Sequence, residues 1–216
     1  MLKPKVLRLT GAVTLTLAAG CSEEIAPSND TASAQKVETS VVCQRDYIAA
    51  GILAYTIRNE RVFVLLGEES RTTGTVWTDF VGTRKDEDCT PVVTAAREFS
   101  EESRGAYAFA KTAKAIRSVN PTVIDSPRVY FWILKVDDIP AREIEKLGTG
   151  RYSEKSHYCW LDLSDLLDSI DANTQRIPRR CGGHSSGLYH KFEQNLAKGG
   201  VARAQLETLL QHNNAP

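Results

Sequence analysis

The sequence predicts an α/β domain in which helices cover both faces of a β-sheet. Two neighbouring runs, residues 51–57 and 61–66, are rich in β-branched, aromatic and aliphatic residues and are apolar on both faces. That pattern suits strands of a sheet with helices on each side. A third run, residues 128–136, is the most strongly β-prone stretch of the chain. Helical segments between and after these strands complete the α/β pattern.

Length and composition favour a single domain. The chain has 216 residues, of which 42% are hydrophobic and 25% charged, enough for one well-filled core. Three of its 27 basic residues lie in the first twenty positions, which contain no acid, so the remainder carries 24 basic and 27 acidic residues. A slightly acidic domain argues against generic nucleic-acid binding.

The first twenty residues differ from the rest. They begin with basic residues, continue through a short apolar stretch at 9–20, and end in small residues before Cys21. Residues 1–20 resemble a bacterial lipoprotein signal, with lipid on Cys21. A plain secretory signal cut nearby is the alternative. Ser22 resembles the outer-membrane sorting preference, so we expect the protein to be lipid-anchored there and to face the periplasm.

Residues 21–42 are small and polar, which is the composition of a flexible tether. We therefore place the folded domain at residues 43–216. Within it, residues 51–57 and 61–66 predict a hairpin with a short turn at 58–60. Trp77 and Phe80 are expected to be core aromatics. Residues 128–136 predict a central strand, and 157–161 a further strand. Helices are predicted over residues 106–116, 141–147, 164–170, 188–196 and 201–211.

A further helix is predicted to begin at Pro91. Thr90 can cap it, proline is favoured at the first helical position, and the acidic run at 86–88 suits the positive end of the helix dipole. A buried stripe is expected from four of its residues: Val92, Ala95, Ala96 and Phe99.

The opposite side of this helix carries Glu98, Glu101 and Glu102. Three carboxylates on one face repel one another unless a cation compensates them, and hard divalent cations prefer such oxygen ligands. A solvated acidic face would be the better interpretation of three glutamates taken alone. The residues around these three glutamates favour the interpretation as a metal site.

Residues 97–102, Arg-Glu-Phe-Ser-Glu-Glu, match the core of the Nudix box, G-x5-E-x7-R-E-U-x-E-E-x-G-U, letter for letter. Upstream, strict spacing puts the first Glu of the box on Cys89 and its Gly on Thr83. Gly82 and Asp88 fit if one residue is inserted before Arg97. Downstream, Arg104 takes the place of the later Gly, and Gly105 follows one position late.

The resemblance implies a Nudix-like α/β/α sandwich with a mixed sheet. It also implies Mg²⁺- or Mn²⁺-dependent hydrolysis of the pyrophosphate bond in a nucleoside diphosphate linked to another group. Glu98 and Glu102 would be the main metal ligands and Glu101 a further ligand. Arg97 would orient these carboxylates, and Gly82 would offer its carbonyl.

Residues 154–163 also resemble the later part of Nudix domains, where a loop glutamate serves as base or extra ligand. Glu154 is therefore a secondary catalytic candidate, although an exposed loop acid is an equally good interpretation. A Nudix-fold lipoprotein that binds a nucleotide or protein without turnover is the alternative function, because the flanks of the box depart from the family pattern. The intact glutamates favour the enzyme.

Four cysteines follow Cys21: Cys43, Cys89, Cys159 and Cys181. An even number in an exported chain predicts at least one disulfide. Spacing permits three complete pairings and selects none. Four buried free thiols are the alternative.

Overall fold

Seven strands form one mixed β-sheet in the computed structural model, which describes residues 43–72, 74–124, 128–148, 154–174, 177, 181 and 187–213. These residues belong to one compact unit, Ser40–Pro216. The predicted signal and tether, residues 1–42, lie outside the described part. Within the described part, no helix combines the length and apolar character needed to cross a membrane.

The strands are β1 (Ala49–Arg58), β2 (Arg61–Arg71), β3 (Gly74–Thr78), β4 (Phe80–Thr83), β5 (Thr122–Ile124), β6 (Val129–Lys135) and β7 (Lys155–Asp162). The helices are α1 (Pro91–Glu102), α2 (Phe109–Ile116), α3 (Ala141–Lys146), α4 (Leu163–Asp171), α5 (His190–Leu196) and α6 (Arg203–Asn213).

The strand order is β3-β2-β1-β6-β5, with β4 also paired to β1 and β7 to β2. Among the paired strands in the described residues, only β1 and β6 run parallel. The hairpin between β1 and β2 turns through Asn59 and Glu60, whose positive φ values of 47° and 64° suit a tight two-residue connection.

The strands β1 and β2 separate soon after this turn. They pair directly only over residues 55–58 and 61–64. Further along, β4 takes the place beside β1 and β3 takes the place beside β2. Asp79 is the single residue between β3 and β4, and its side chain is buried. Asp79 is thus a buried acidic residue at the connection between the two strands that replace the direct pairing of β1 and β2.

Each face of the sheet packs against its own helices. On β1, Leu53 faces a core completed by α4, α5 and α6, while Ile52 and Ala54 face a second core completed by α1, α2 and α3. The predicted fold class, an α/β sandwich with helices on both faces of a mixed sheet, is confirmed. Trp77 and Phe80 are core residues, as predicted.

Most predicted elements are present with small shifts at their ends. The strand predicted at 128–136 lies between β1 and β5, so it is an interior strand. The helix predicted at 106–116 is a separate helix that begins at Phe109, and the one predicted at 188–196 begins at His190. The strands β3, β4 and β5 were not predicted, because each is five residues or shorter and contains no long apolar run.

Candidate metal centre

The helix α1 begins as the sequence predicts. The Thr90 hydroxyl accepts a hydrogen bond from the backbone N–H of Val93, and Pro91 is the first helical residue. Ala95, Ala96 and Phe99 are buried against the sheet, while Val92 is only partly buried. This packing fixes the rotation of α1, with Glu98 against Gly82 of β4 and Glu102 buried.

Arg97 is the centre of an ion-pair network. Its Nη1 lies 2.7 Å from Oε1 of Glu98 and 3.1 Å from Oε2 of Glu101. Its Nη2 lies 2.7 Å from Oδ2 of Asp88 and donates to the carbonyl of Thr83 at 3.0 Å. Burial lowers the pKa of the guanidinium, but the bonds to Asp88 and Glu98 outweigh this effect and raise it. Arg97 is therefore a fixed positive charge beside Glu98 and Glu101.

Asp88, which matches the first acid of the box pattern only with one inserted residue, lies in the loop before α1. It is buried and accepts from the backbone N–H of Lys85 and from the Thr94 hydroxyl, both at 2.9 Å. Burial alone would raise its pKa, yet the hydrogen bonds from Arg97 and these partners hold it below its ordinary value. Gly82 and Asp88, the two residues that fit the pattern with one inserted residue, thus lie against Glu98 and Arg97 of α1.

Gly82 lies directly against Glu98. A Cβ added at Gly82 would come within 2.1 Å of Cδ of Glu98, so a larger residue at this place on β4 would displace the Glu98 carboxylate. Burial raises the pKa of Glu98, and Arg97 opposes this rise. Glu98 also interacts electrostatically with Glu101 and with Glu102, so it stands between the other two glutamates of the helix.

Glu102 belongs to a second group of acids. Single carboxylate oxygens of Glu69, Glu102 and Glu154 lie within 4.8 Å of one another. Glu69 and Glu102 are buried, and Glu154 is exposed. We call these three residues, with Asp79, the inner carboxylate cluster. Its arrangement provides several oxygen donors for one cation.

Two observations test whether a divalent metal fits this cluster. Burial raises the pKa of Glu102 to about 8; Lys155 lowers this pKa, and the nearby acids Glu98, Glu69 and Asp79 raise it further. Burial also raises the pKa of Asp79, to about 6. Oε2 of Glu102 has no hydrogen-bond partner within the described residues. Buried carboxyl groups that resist losing their protons, and a carboxylate oxygen without a partner, both favour the addition of a positive charge. The donor set, oxygen only, suits Mg²⁺ or Mn²⁺.

The structure groups the sequence-predicted residues in a way the sequence did not indicate. Glu98 and Glu101 lie with Arg97, whereas Glu102 lies with Glu69 and the predicted loop residue Glu154. Glu69 and Asp79 are site residues that the sequence pattern did not predict. Two adjacent acids at 68–69, within an otherwise apolar strand, were the available signal for Glu69.

The backbone just after α1 is left-handed at Arg104. Its φ is 57°, a left-handed conformation that favours glycine. The guanidinium donates to the carbonyls of Glu145, Lys155 and Ser156. These bonds join the end of α1 to β7 and hold Arg104 in a conformation that its side chain disfavours.

Two disulfides are present in the described part of the chain, Cys43–Cys89 and Cys159–Cys181, which confirms the prediction of at least one. The first joins the segment before β1 to the loop before α1. The N–H of Gln44 donates to the Cys89 carbonyl at 2.9 Å. Cys89 therefore braces the loop that carries Asp88.

No protein-family model matches the sequence, and no curated protein matches it. Solved structures of Nudix proteins resemble the fold at a distance. The RenU Nudix hydrolase of M. smegmatis is 14% identical, with a TM-score of 0.44, over 79% of this chain and 89% of its own.

The Nudix domain of Shewanella oneidensis NrtR, solved with ADP-ribose, is 13% identical, with a TM-score of 0.40, over 80% of this chain and 90% of its own. An Ap4A hydrolase of C. elegans is 20% identical, with a TM-score of 0.38, over 56% of this chain and 82% of its own. At such distances the activity has to be inferred from the residues of the chain itself.

Proposed function

We propose that this chain is a Nudix-type hydrolase that uses Mg²⁺ or Mn²⁺ to cleave the pyrophosphate bond of a nucleoside diphosphate linked to another group. The observation that carries the proposal is the position of Glu102. It ends the helix that bears the box motif, and its unpaired Oε2 lies in a buried cluster with excess negative charge.

Residues from both acidic groups would hold the metal. Glu102, Glu98 and Glu154 are the proposed ligands, with Glu101 as a further one and the Gly82 carbonyl beside Glu98. A divalent ion there would screen the phosphates, polarise the P–O bond and lower the pKa of the attacking water. Arg97 would orient Glu98 and Glu101, since it contacts both.

Glu154 is also the proposed base, through the carboxylate oxygen that would not hold the metal. Its side chain is exposed, so it can reach solvent water while remaining near Glu102. A carboxylate in that position can accept a proton from water and release it to bulk solvent. The buried acids of the cluster cannot exchange protons with solvent as directly.

We further propose that the enzyme faces the periplasm, held to the outer membrane by lipid on Cys21. Two disulfides in the domain support an oxidising compartment.

One observation favours the alternative function, nucleotide or protein binding without turnover. The ammonium of Lys155 lies inside the inner carboxylate cluster, 2.7 Å from Oε2 of Glu69 and 3.6 Å from Oε1 of Glu102. A resident cation reduces the need for a metal.

Phosphate or nucleotide release from a panel of nucleoside diphosphate derivatives, with Mg²⁺ and with EDTA, separates the two functions. The enzyme requires Mg²⁺-dependent release from at least one derivative. Binding of a derivative, detected by calorimetry, without turnover under any metal condition would establish the binding module instead.

A further inference from the structure

We propose that Lys155 acts as a built-in cation that occupies one cation position of the inner carboxylate cluster and so excludes one divalent ion. The inference rests on the proposed metal site and adds a residue that sets how many ions that site holds. Lys155 opens β7 directly opposite Glu69 on β2, so the strand register brings the two together.

The Lys155 side chain lies in a buried space between Gly67 and the Phe80 ring. Lys155 is 2% exposed, and its methylene groups lie over Gly67, where an added Cβ would come within 2.8 Å of Cγ and Cδ. The ammonium also lies 5.8 Å from the centre of the Phe80 ring. Lysine is seldom buried unless its charge is compensated, so this position serves the acids around it.

The same carboxylates contact Lys155 and form the candidate metal group. Both oxygens of Glu69 are in ion pairs, Oε1 with Arg71 at 2.9 Å and Oε2 with Lys155 at 2.7 Å. The two carboxylate oxygens of Glu102 differ in their contacts: Oε1 faces Lys155, whereas Oε2 has no hydrogen-bond partner among the described residues.

This difference between the two oxygens of Glu102 predicts which carboxylate oxygens each cation binds. A divalent ion can use Oε2 of Glu102 together with Glu154 without displacing the lysine. A second ion that used Glu69 would have to share both Glu69 and Glu102 with the ammonium, and two cations on the same oxygens repel each other. Lys155 therefore substitutes for the second ion.

The test counts Mn²⁺ ions bound to the full chain, by electron paramagnetic resonance of free Mn²⁺ during titration. We expect Lys155→Met to bind one more Mn²⁺ per chain than the wild type. Lys111→Met is the matched control, because Lys111 pairs with Asp137, which belongs to neither acidic group of the proposed site. An unchanged count in Lys155→Met, or an equal gain in Lys111→Met, would overturn the inference.

A folding defect leaves the inference testable. Without metal, Lys155→Met should be less stable than the wild type, and saturating Mn²⁺ should restore its melting temperature. The double variant Lys155→Met/Glu69→Gln removes one charge of each sign and should fold without metal at the wild-type Mn²⁺ count. If the double variant folds while Lys155→Met stays unfolded in Mn²⁺, the ion cannot replace the ammonium and the inference is wrong.

The wild type distinguishes this failure from failure of the proposed function. Glu102→Gln should lose Mn²⁺ that the wild type binds. If the wild type binds Mn²⁺ through Glu102 and Lys155→Met gains none, only the role of Lys155 is refuted. If the wild type binds no Mn²⁺, the proposed function fails, and the inference with it.

Discussion

Nη2 of Arg97 and Oδ2 of Asp88 lie 2.7 Å apart and join the middle of α1 to the loop that precedes it. Both side chains are largely shielded from solvent, so the pair is more than a surface ion pair. Arg97 uses its other donors on Glu98, Glu101 and the Thr83 carbonyl. The orientation of two proposed metal-site carboxylates therefore depends on an acid outside the metal site.

Arg97→Ala should reduce both stability and turnover. Removing one partner of a buried pair leaves Asp88 unpaired, which typically costs about 3 kcal/mol or more. Turnover should fall less than in Glu102→Gln, because Arg97 orients ligands and holds no metal. Urea denaturation and steady-state kinetics at saturating Mg²⁺ measure the two effects.

The control for this prediction is Arg97→Ala/Asp88→Asn, which removes the unpaired charge. It should recover part of the lost unfolding free energy but none of the lost turnover. Full activity of Arg97→Ala would show that Arg97 has no orienting role.

The stability of the metal-free protein should fall as pH rises. Glu102 ionises near 4.5 when unfolded, but its pKa is about 8 in the fold. Between these values the folded state keeps a proton that the unfolded state has released, so raising the pH favours unfolding. Asp79, with a pKa raised to about 6, acts in the same direction.

Melting temperatures across this pH range, in EDTA and in Mg²⁺, measure the effect. Because a divalent ion binds the ionised carboxylates, the stabilisation by Mg²⁺ should grow as pH rises toward about 8. Glu102→Gln should show a flatter profile in EDTA. Parallel profiles for the wild type and this variant would contradict the raised pKa of Glu102.

The two disulfides should differ in their effect on the metal site. Cys43→Ser/Cys89→Ser and Cys159→Ser/Cys181→Ser should each lose about 2–4 kcal/mol of unfolding free energy. Only the first pair of substitutions should also weaken Mg²⁺-dependent stabilisation, because Cys89 adjoins Asp88. Equal metal responses in the two variants would mean that the loop before α1 needs no brace.

Local sequence signals predicted much of the fold. The cap at Thr90, the apolar faces of β1 and β2, and the cluster of box residues on α1 each depend on residues close in the chain. The short strands β3 and β4 escaped prediction because they exist only by pairing with β2 and β1. Their pairing is what carries Asp79 into the sheet.

The inner carboxylate cluster was only partly predictable for the same reason. Glu102 and Glu154 stood in recognisable motifs, but Glu69 joins them through the register of β2 and β7. The same register places Lys155 against Glu69. No spacing within the sequence encodes a contact between residues 86 positions apart.

Cys21 should carry lipid. In a bacterial host, wild-type protein should partition with membranes, and Cys21→Ser should be released as soluble protein after export. Fractionation followed by mass spectrometry of the amino-terminal peptide measures this. Equal release of both proteins would support the plain secretory signal.

The most direct test of the proposed function is Mg²⁺-dependent turnover by Glu102→Gln. Glutamine keeps the size of the side chain but removes the charge that the metal needs, so we expect turnover to fall by orders of magnitude while the fold is retained. Metal-free stability should be unchanged or higher, because repulsion within the cluster is relieved.

Glu143→Gln, an exposed change on α3, serves as the control and should match the wild type. The decisive measurement is the rate of pyrophosphate-bond cleavage at saturating Mg²⁺ for these two variants. We predict a near-complete loss for Glu102→Gln alone, and wild-type turnover by that variant would contradict the proposed metal site.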